Sequence, residues 1–215
     1  MKHIYIVLIK AHTGLGKFAR MFSKYDYTHI AVSLDSSLTD FVTYSRRRHY
    51  LPLDAGFMHE YRDYYAFGRH SKVKVKVFDL PVEEHCYEDV LRFISSCEGD
   101  EEQKFNLFSM VTMSIFHGFR IYKAHNCMSF CGRVIQLTGV ISMEKPYYKY
   151  SIQEMDALLE KNFYFEGMLK RKSSPDYDNY MKRGSIWELI RTGSNTIFTL
   201  IKRMIFDRSR IEDEG

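Results

Sequence analysis

The order of apolar and polar positions divides the chain into short strands and amphipathic helices. Ile4 to Ile9 is a six-residue apolar run rich in β-branched side chains, which predicts a buried strand. Tyr27 to Leu34 alternates strictly, with His29, Ala31 and Ser33 on one face and Ile30, Val32 and Leu34 on the other. The Asp35-Ser36-Ser37 turn and Asp40 to Ser45 complete a hairpin. Residues 46–70 hold Pro52, Gly56 and Gly68 among many tyrosines and read as a long connection, whose aromatics either pin it to the body or cover a substrate groove. Lys72 to Leu80 alternates lysine and valine, the pattern of a strand with one wet face, suited to a sheet edge.

Helical spacing marks Phe18 to Phe22 after the Gly14–Lys17 turn, then Pro81 to Ser96, Phe105 to Phe116 and Ser151 to Glu160. A last strand is expected over Phe163 to Leu169. The Gly-x-Gly-Lys of the first turn lacks the full phosphate-loop pattern, so it is read as a turn.

One helix carries candidate chemistry. In Lys123 to Val140, the polar His125 and Asn126 run into Cys127, and Phe130, Cys131, Val134, Ile135 and Leu137 follow at helical steps until Gly139. Cys127 therefore sits at a helix N-terminus, where unpaired backbone N–H groups favour a thiolate. The same position also suits a small buried side chain, and the choice depends on whether a base reaches the sulfur. His29, on the strand face with small neighbours, is the candidate base. A histidine beside a thiol, with a polar group fixing its tautomer, is the arrangement for thiolate attack on an acyl carbon.

Composition narrows the class. With 45% hydrophobic and 15% aromatic residues the chain can bury a core and is not disordered. Thirty-one basic against 27 acidic residues leave +4, too small an excess to call for nucleic acid. The four cysteines, at 86, 97, 127 and 131, show neither a disulfide framework nor zinc-ligand spacing, which points to reduced thiols, no metal, no cofactor and a cytoplasmic setting. Neither a signal sequence nor an apolar run of membrane-spanning length is evident.

Several segments in order resemble one family. LGKFARMFSKYDYTHIAVSLD (15–35) is similar to a helix followed by a histidine strand, and FVTYSRRR (41–48) to the strand after it. GFMHE (56–60) resembles a recurring Gly-Phe-x-x-Glu segment. CMSFCGRVI (127–135) resembles a nucleophile helix, and NFYFEGML (162–169) a closing strand. The family is the circularly permuted, YiiX-like and lecithin retinol acyltransferase-like branch of the NlpC-type papain-like cysteine peptidases, in which histidine precedes cysteine. The resemblance covers about residues 3–170. It implies an α+β fold with an antiparallel sheet packed against a nucleophile-bearing helix, and a thiol hydrolase (amidase or peptidase) of bacterial type. Cys127 matches the nucleophile and His29 the base. The orienting position, expected on the strand after the histidine, falls to Thr43, with Ser45 as alternative. Relatives often carry a carboxylate, imidazole or amide there. Tyr27, Ser33, Ser45 and Asn126 are candidate substrate contacts, although packing or capping roles compete for Tyr27 and Asn126. The implied substrates are peptide or other amides, or acyl lipids. A lipid acyltransferase and a non-catalytic binding module with a vestigial site are the alternatives.

The resemblance stops near residue 170. Residues 171–184 read as a linker and 185–215 as a helical extension, in which Ile197, Leu200, Ile201, Met204 and Ile205 form one apolar stripe among basic residues. This stripe is expected either to dock on the body or a second copy, or to lie on an anionic membrane surface through residues 186–210.

Overall fold

A computed structural model describes residues 1–11 and 25–211, apart from the side chain of Ser114. The helix expected over Phe18 to Phe22 lies outside the described residues.

Six strands form one sheet in the order β4-β3-β2-β1-β5-β8, every neighbouring pair antiparallel. They are β1 (Lys2–Ile9), β2 (His29–Ser33), β3 (Asp40–Arg48), β4 (Leu51–Tyr61), β5 (Lys72–Val82) and β8 (Phe163–Lys170). The two-residue strands β6 (Lys104–Phe105) and β7 (Ala124–His125) pair in parallel beside it. The helices are α1 (Arg62–Tyr65), α2 (Glu84–Glu98), α3 (Leu107–Val111), α4 (Met113–Phe116), α5 (Cys127–Thr138), α6 (Ile152–Leu159), α7 (Tyr177–Tyr180) and α8 (Ile186–Phe206). This is a mixed α+β fold with an antiparallel sheet and flanking helices, the C-terminal ones included.

The continuous apolar run of β1 reflects burial on both faces. Ile4, Ile6 and Leu8 join Ile30, Val32 and the α2, α5 and α6 side chains Val90, Phe130, Val134 and Met155 in one core. Tyr5, Val7 and Ile9 join Ala31, Phe41, Tyr65, Val73, Val75 and Val77 in the other. The alternation in β2 thus divides Val32 from Ala31 as its period requires.

Three expectations are corrected. Residues 51–61 are not a connection but the strand β4. Pro52 is tolerated because β4 is an edge, and at Gly56 the Arg47 guanidinium takes up the space a Cβ would fill, 2.6 Å from Nη2. Second, β5 is not an edge. It lies between β1 and β8, and its wet-face lysines are paired, Lys74 with Glu166 at 2.7 Å and Lys76 with Asp156 at 2.7 Å. Third, the helix expected over Phe105 to Phe116 is broken at Thr112 into α3 and α4, and Val111, Ile115 and Phe116 stay exposed.

The stretch 171–184, read as a linker, is held against the body. Ser174 donates to Asp63, and Tyr180 stacks on Tyr64 with centroids 3.9 Å apart. Beyond it α8 docks through Gly193, Thr196, Leu200 and Arg203. The Arg203 guanidinium donates to the carbonyls of Glu102 (2.9 Å), Tyr122 (3.3 Å) and Lys123 (3.0 Å), clamping the chain that leads into α5.

Candidate active site

The site begins with a helix start. Asn126 is the N-cap of α5: its side-chain oxygen accepts from Ser129 N at 2.9 Å, and Ser129 Oγ accepts from Asn126 N at 3.0 Å. This reciprocal pair fixes the first turn and leaves Cys127 as its first residue. Gly139, at φ 65°, closes the helix as the sequence indicated. The lead-in is held by Asn106, the residue after β6, whose N–H donates to His125 O at 2.7 Å.

His29 opens β2, with Cys127 close enough to raise its imidazole. On the other side of the ring, Nε2 lies 2.7 Å from Glu60 Oε2. Glu60 is almost wholly buried. Because an ionised carboxylate only accepts, Nε2 carries the hydrogen and Nδ1 is the nitrogen left to face sulfur. Tyr65 donates to the same Glu60 oxygen, its ring 5.8 Å from that of His29, and Ser45 helps to lower the carboxyl.

The electrostatics follow from this order. Burial alone would lower the imidazole, but the Glu60 charge and the Cys127 sulfur outweigh it and push His29 up to about 10. Burial would raise Glu60, but His29 holds it below the usual carboxylate range. Tyr65, buried against the carboxylate, is held well above its ordinary value and stays a donor. Cys131, one helical turn on, is pushed up by burial and stays a thiol. His125 is lowered to about 4 by burial and by Arg120 and Arg133, so it is neutral beside the rings of Tyr44 and Phe93.

Among the residues expected at the site, Cys127 and His29 lie close enough to interact electrostatically. Thr43 does not orient the imidazole: its hydroxyl is wholly buried and donates to the Ile30 carbonyl at 3.0 Å. Ser45 reaches the orienting carboxylate instead of the ring. Ser33 closes the hairpin turn through the carbonyls of Asp35 and Asp40. Tyr27 is core and donates to Glu166 on β8 at 2.7 Å. Asn126 caps the helix, yet its amide Nδ2 is buried without a hydrogen-bond partner. The residue missed was Glu60. It ends the Gly-Phe-x-x-Glu segment, and reading 51–61 as a strand beside β3 would have pointed to it.

Among the described residues no group of three or more His, Cys, Asp or Glu side chains is arranged to hold a metal ion. Comparison with protein-family models, with curated proteins and with solved structures finds no match to this chain.

Proposed function

We propose that the chain is a cysteine-dependent hydrolase that cleaves an amide or ester through a thioacyl intermediate on Cys127. The observation that carries this reading is the chain of contacts Cys127–His29–Glu60, a sulfur at a helix N-terminus, an imidazole beside it and a buried carboxylate behind. A core cysteine needs no such partners.

In the proposed cycle the Cys127 proton rests on His29 Nδ1, and Glu60 supports the imidazolium through Nε2–H. The thiolate attacks the acyl carbon, and the new oxyanion accepts from the Cys127 backbone N–H and from the Nδ2 of Asn126. His29 gives its proton to the leaving nitrogen or oxygen, the bond to that atom breaks, and a thioester remains. Water then attacks with His29 Nδ1 as base, the carbon–sulfur bond breaks, and the acid departs with the thiolate restored. With an alcohol or amine in place of water the same cycle is acyl transfer.

The permuted NlpC-type papain-like fold is part of this proposal. It is supported by the histidine-before-cysteine order and by the packing of α5, which carries Cys127, on β2, which carries His29. A binding module with a vestigial site is less favoured, since Glu60 supplies the carboxylate that Thr43 could not.

The test is alkylation by iodoacetamide between pH 5 and 9, mapped by mass spectrometry. Cys127 is expected to react at pH 6 well ahead of Cys86, the more exposed thiol. Equal or slower labelling of Cys127 overturns the activated-thiolate reading. Cys127→Ser is expected to abolish turnover of acyl amides and esters in a substrate panel.

A further inference from the structure

Helix α8 is docked by the side its sequence would have kept wet. The row facing the body is Gly193, Thr196, Leu200 and Arg203. The glycine is needed there, since a Cβ would lie 2.7 Å from Leu53 Cδ1, and Thr196 Oγ1 donates to the Leu53 carbonyl at 3.3 Å. Trp187, Ile190, Phe198, Ile201 and Ile205 share a stripe roughly 150° away around a helix of 3.6 residues per turn, and all five are exposed. Trp187 is 77% and Phe198 70% accessible. Of the stripe expected to dock, only Leu200 is fully covered.

Charge decides what would cover this face. Beside the stripe lie Arg191 and Lys202, both exposed and in one row along the helix. Glu188, the helix's one acidic residue, is turned away to Arg48 at 2.5 Å. Among the described residues the face is thus apolar with a basic flank and no free carboxylate. A two-fold pairing of antiparallel α8 helices about Ser194–Phe198 would set Arg191 of one copy against Lys202 of the other, like charges at close range. A surface of anionic headgroups over acyl chains meets both features at once. No helix among the described residues is long and apolar enough to cross a membrane, so the geometry of insertion is lying flat.

We propose that α8 lies in the interface of an anionic phospholipid bilayer, with Trp187, Phe198 and Ile205 in the acyl boundary and Arg191 and Lys202 at the headgroups. The proposal is independent of the chemistry at Cys127.

Trp187 is the sole tryptophan of the chain and reports on the face itself. The full chain is titrated with phosphatidylcholine vesicles and with phosphatidylcholine–phosphatidylserine vesicles, following Trp187 emission and co-sedimentation. Expected are a blue shift and co-sedimentation with the anionic vesicles, both weakened by added salt. The double variant R191E/K202E, at exposed positions, is expected to fold normally by circular dichroism and to lose roughly thirtyfold in partitioning. F198S is expected to lose the binding while keeping the salt dependence of what remains. No binding to anionic vesicles overturns the proposal. So does equal binding to both vesicle types, or a concentration-dependent dimer in sedimentation velocity that shifts Trp187 emission without lipid.

Discussion

Glu60 Oε2 lies 2.7 Å from His29 Nε2, with strand β3 between the strands that carry them. The pairing overcomes the burial of the imidazole and sets the direction in which it titrates. Glu60→Gln keeps the shape and the Tyr65 contact but removes the charge. It is expected to lower kcat/KM by about 10² to 10⁴ and to move the alkaline limb of its pH profile downward, because burial is then opposed by Cys127 alone. A mutant profile superimposable on that of the wild type would exclude Glu60 from the machinery.

The same pairing predicts a stability profile. His29 is raised in the folded state from an ordinary 6.5 to about 10. Its contribution is therefore fully present below pH 6.5 and is lost as pH climbs toward 10. Denaturant midpoints should fall across that window in the wild type and much less in Glu60→Gln.

Thr43 provides the contrast. Its hydroxyl serves the Ile30 carbonyl inside the sheet, so Thr43→Val is expected to cost about 1 kcal/mol of stability, one buried hydrogen bond, with kcat/KM nearly unchanged. A large loss of activity at full stability would return the orienting role to Thr43.

How much of this could be read from the sequence depended on period. β1 and β2 carry unbroken apolar periods, and α5 and α6 add capping residues, so their positions followed directly. Glu60 was hidden because Pro52 and Gly56 interrupt the alternation of β4. Local chemistry cannot reveal that an edge position absorbs the proline and that Arg47 fills the space beside the glycine. The side on which α8 docks was hidden for another reason. Periodicity assumes that the apolar stripe faces inward, and here the close approach of Gly193 to Leu53 and the three carbonyls held by Arg203 favour the opposite face. Those partners are distant in sequence and leave no local signal.

The proposed cycle gives Asn126 two separable tasks. Its side-chain oxygen caps α5, while its Nδ2 is buried and unpartnered beside the nucleophile. Serine is an equally good N-cap but has no amide. Asn126→Ser should therefore melt within a few degrees of the wild type while kcat falls by about 10² to 10³, the usual cost of an oxyanion donor. Loss of stability with unchanged kcat would leave Asn126 as a cap alone.

His125 predicts an acid limit. Folding lowers it from 6.5 to about 4, so the unfolded chain takes up a proton that the folded chain refuses. Stability from this group is present above pH 6.5 and is lost as pH falls toward 4. His49, lowered to about 4 by burial and by Arg46, acts in the same window. Thermal melts of His125→Gln between pH 7 and 4 should show a shallower decline than the wild type. An unchanged slope would place the acid transition elsewhere.

Gly132 sits in the middle of α5, where propensity alone favours alanine by about 1 kcal/mol. Packing reverses the sign. A Cβ at this position would lie 2.4 Å from the Tyr147 carbonyl oxygen and 3.2 Å from Met155 Cε. The methionine can turn aside, but a backbone carbonyl in a short 3-10 turn cannot without moving the helix. Overpacking of this kind costs about 1 to 3 kcal/mol, enough to cancel the gain in propensity. Gly132→Ala is therefore expected to lower the melting temperature and, because α5 carries Cys127 one turn away, to slow its alkylation at pH 6. A stabilised Gly132→Ala variant would mean that α5 and residues 147–149 are not in the close contact described.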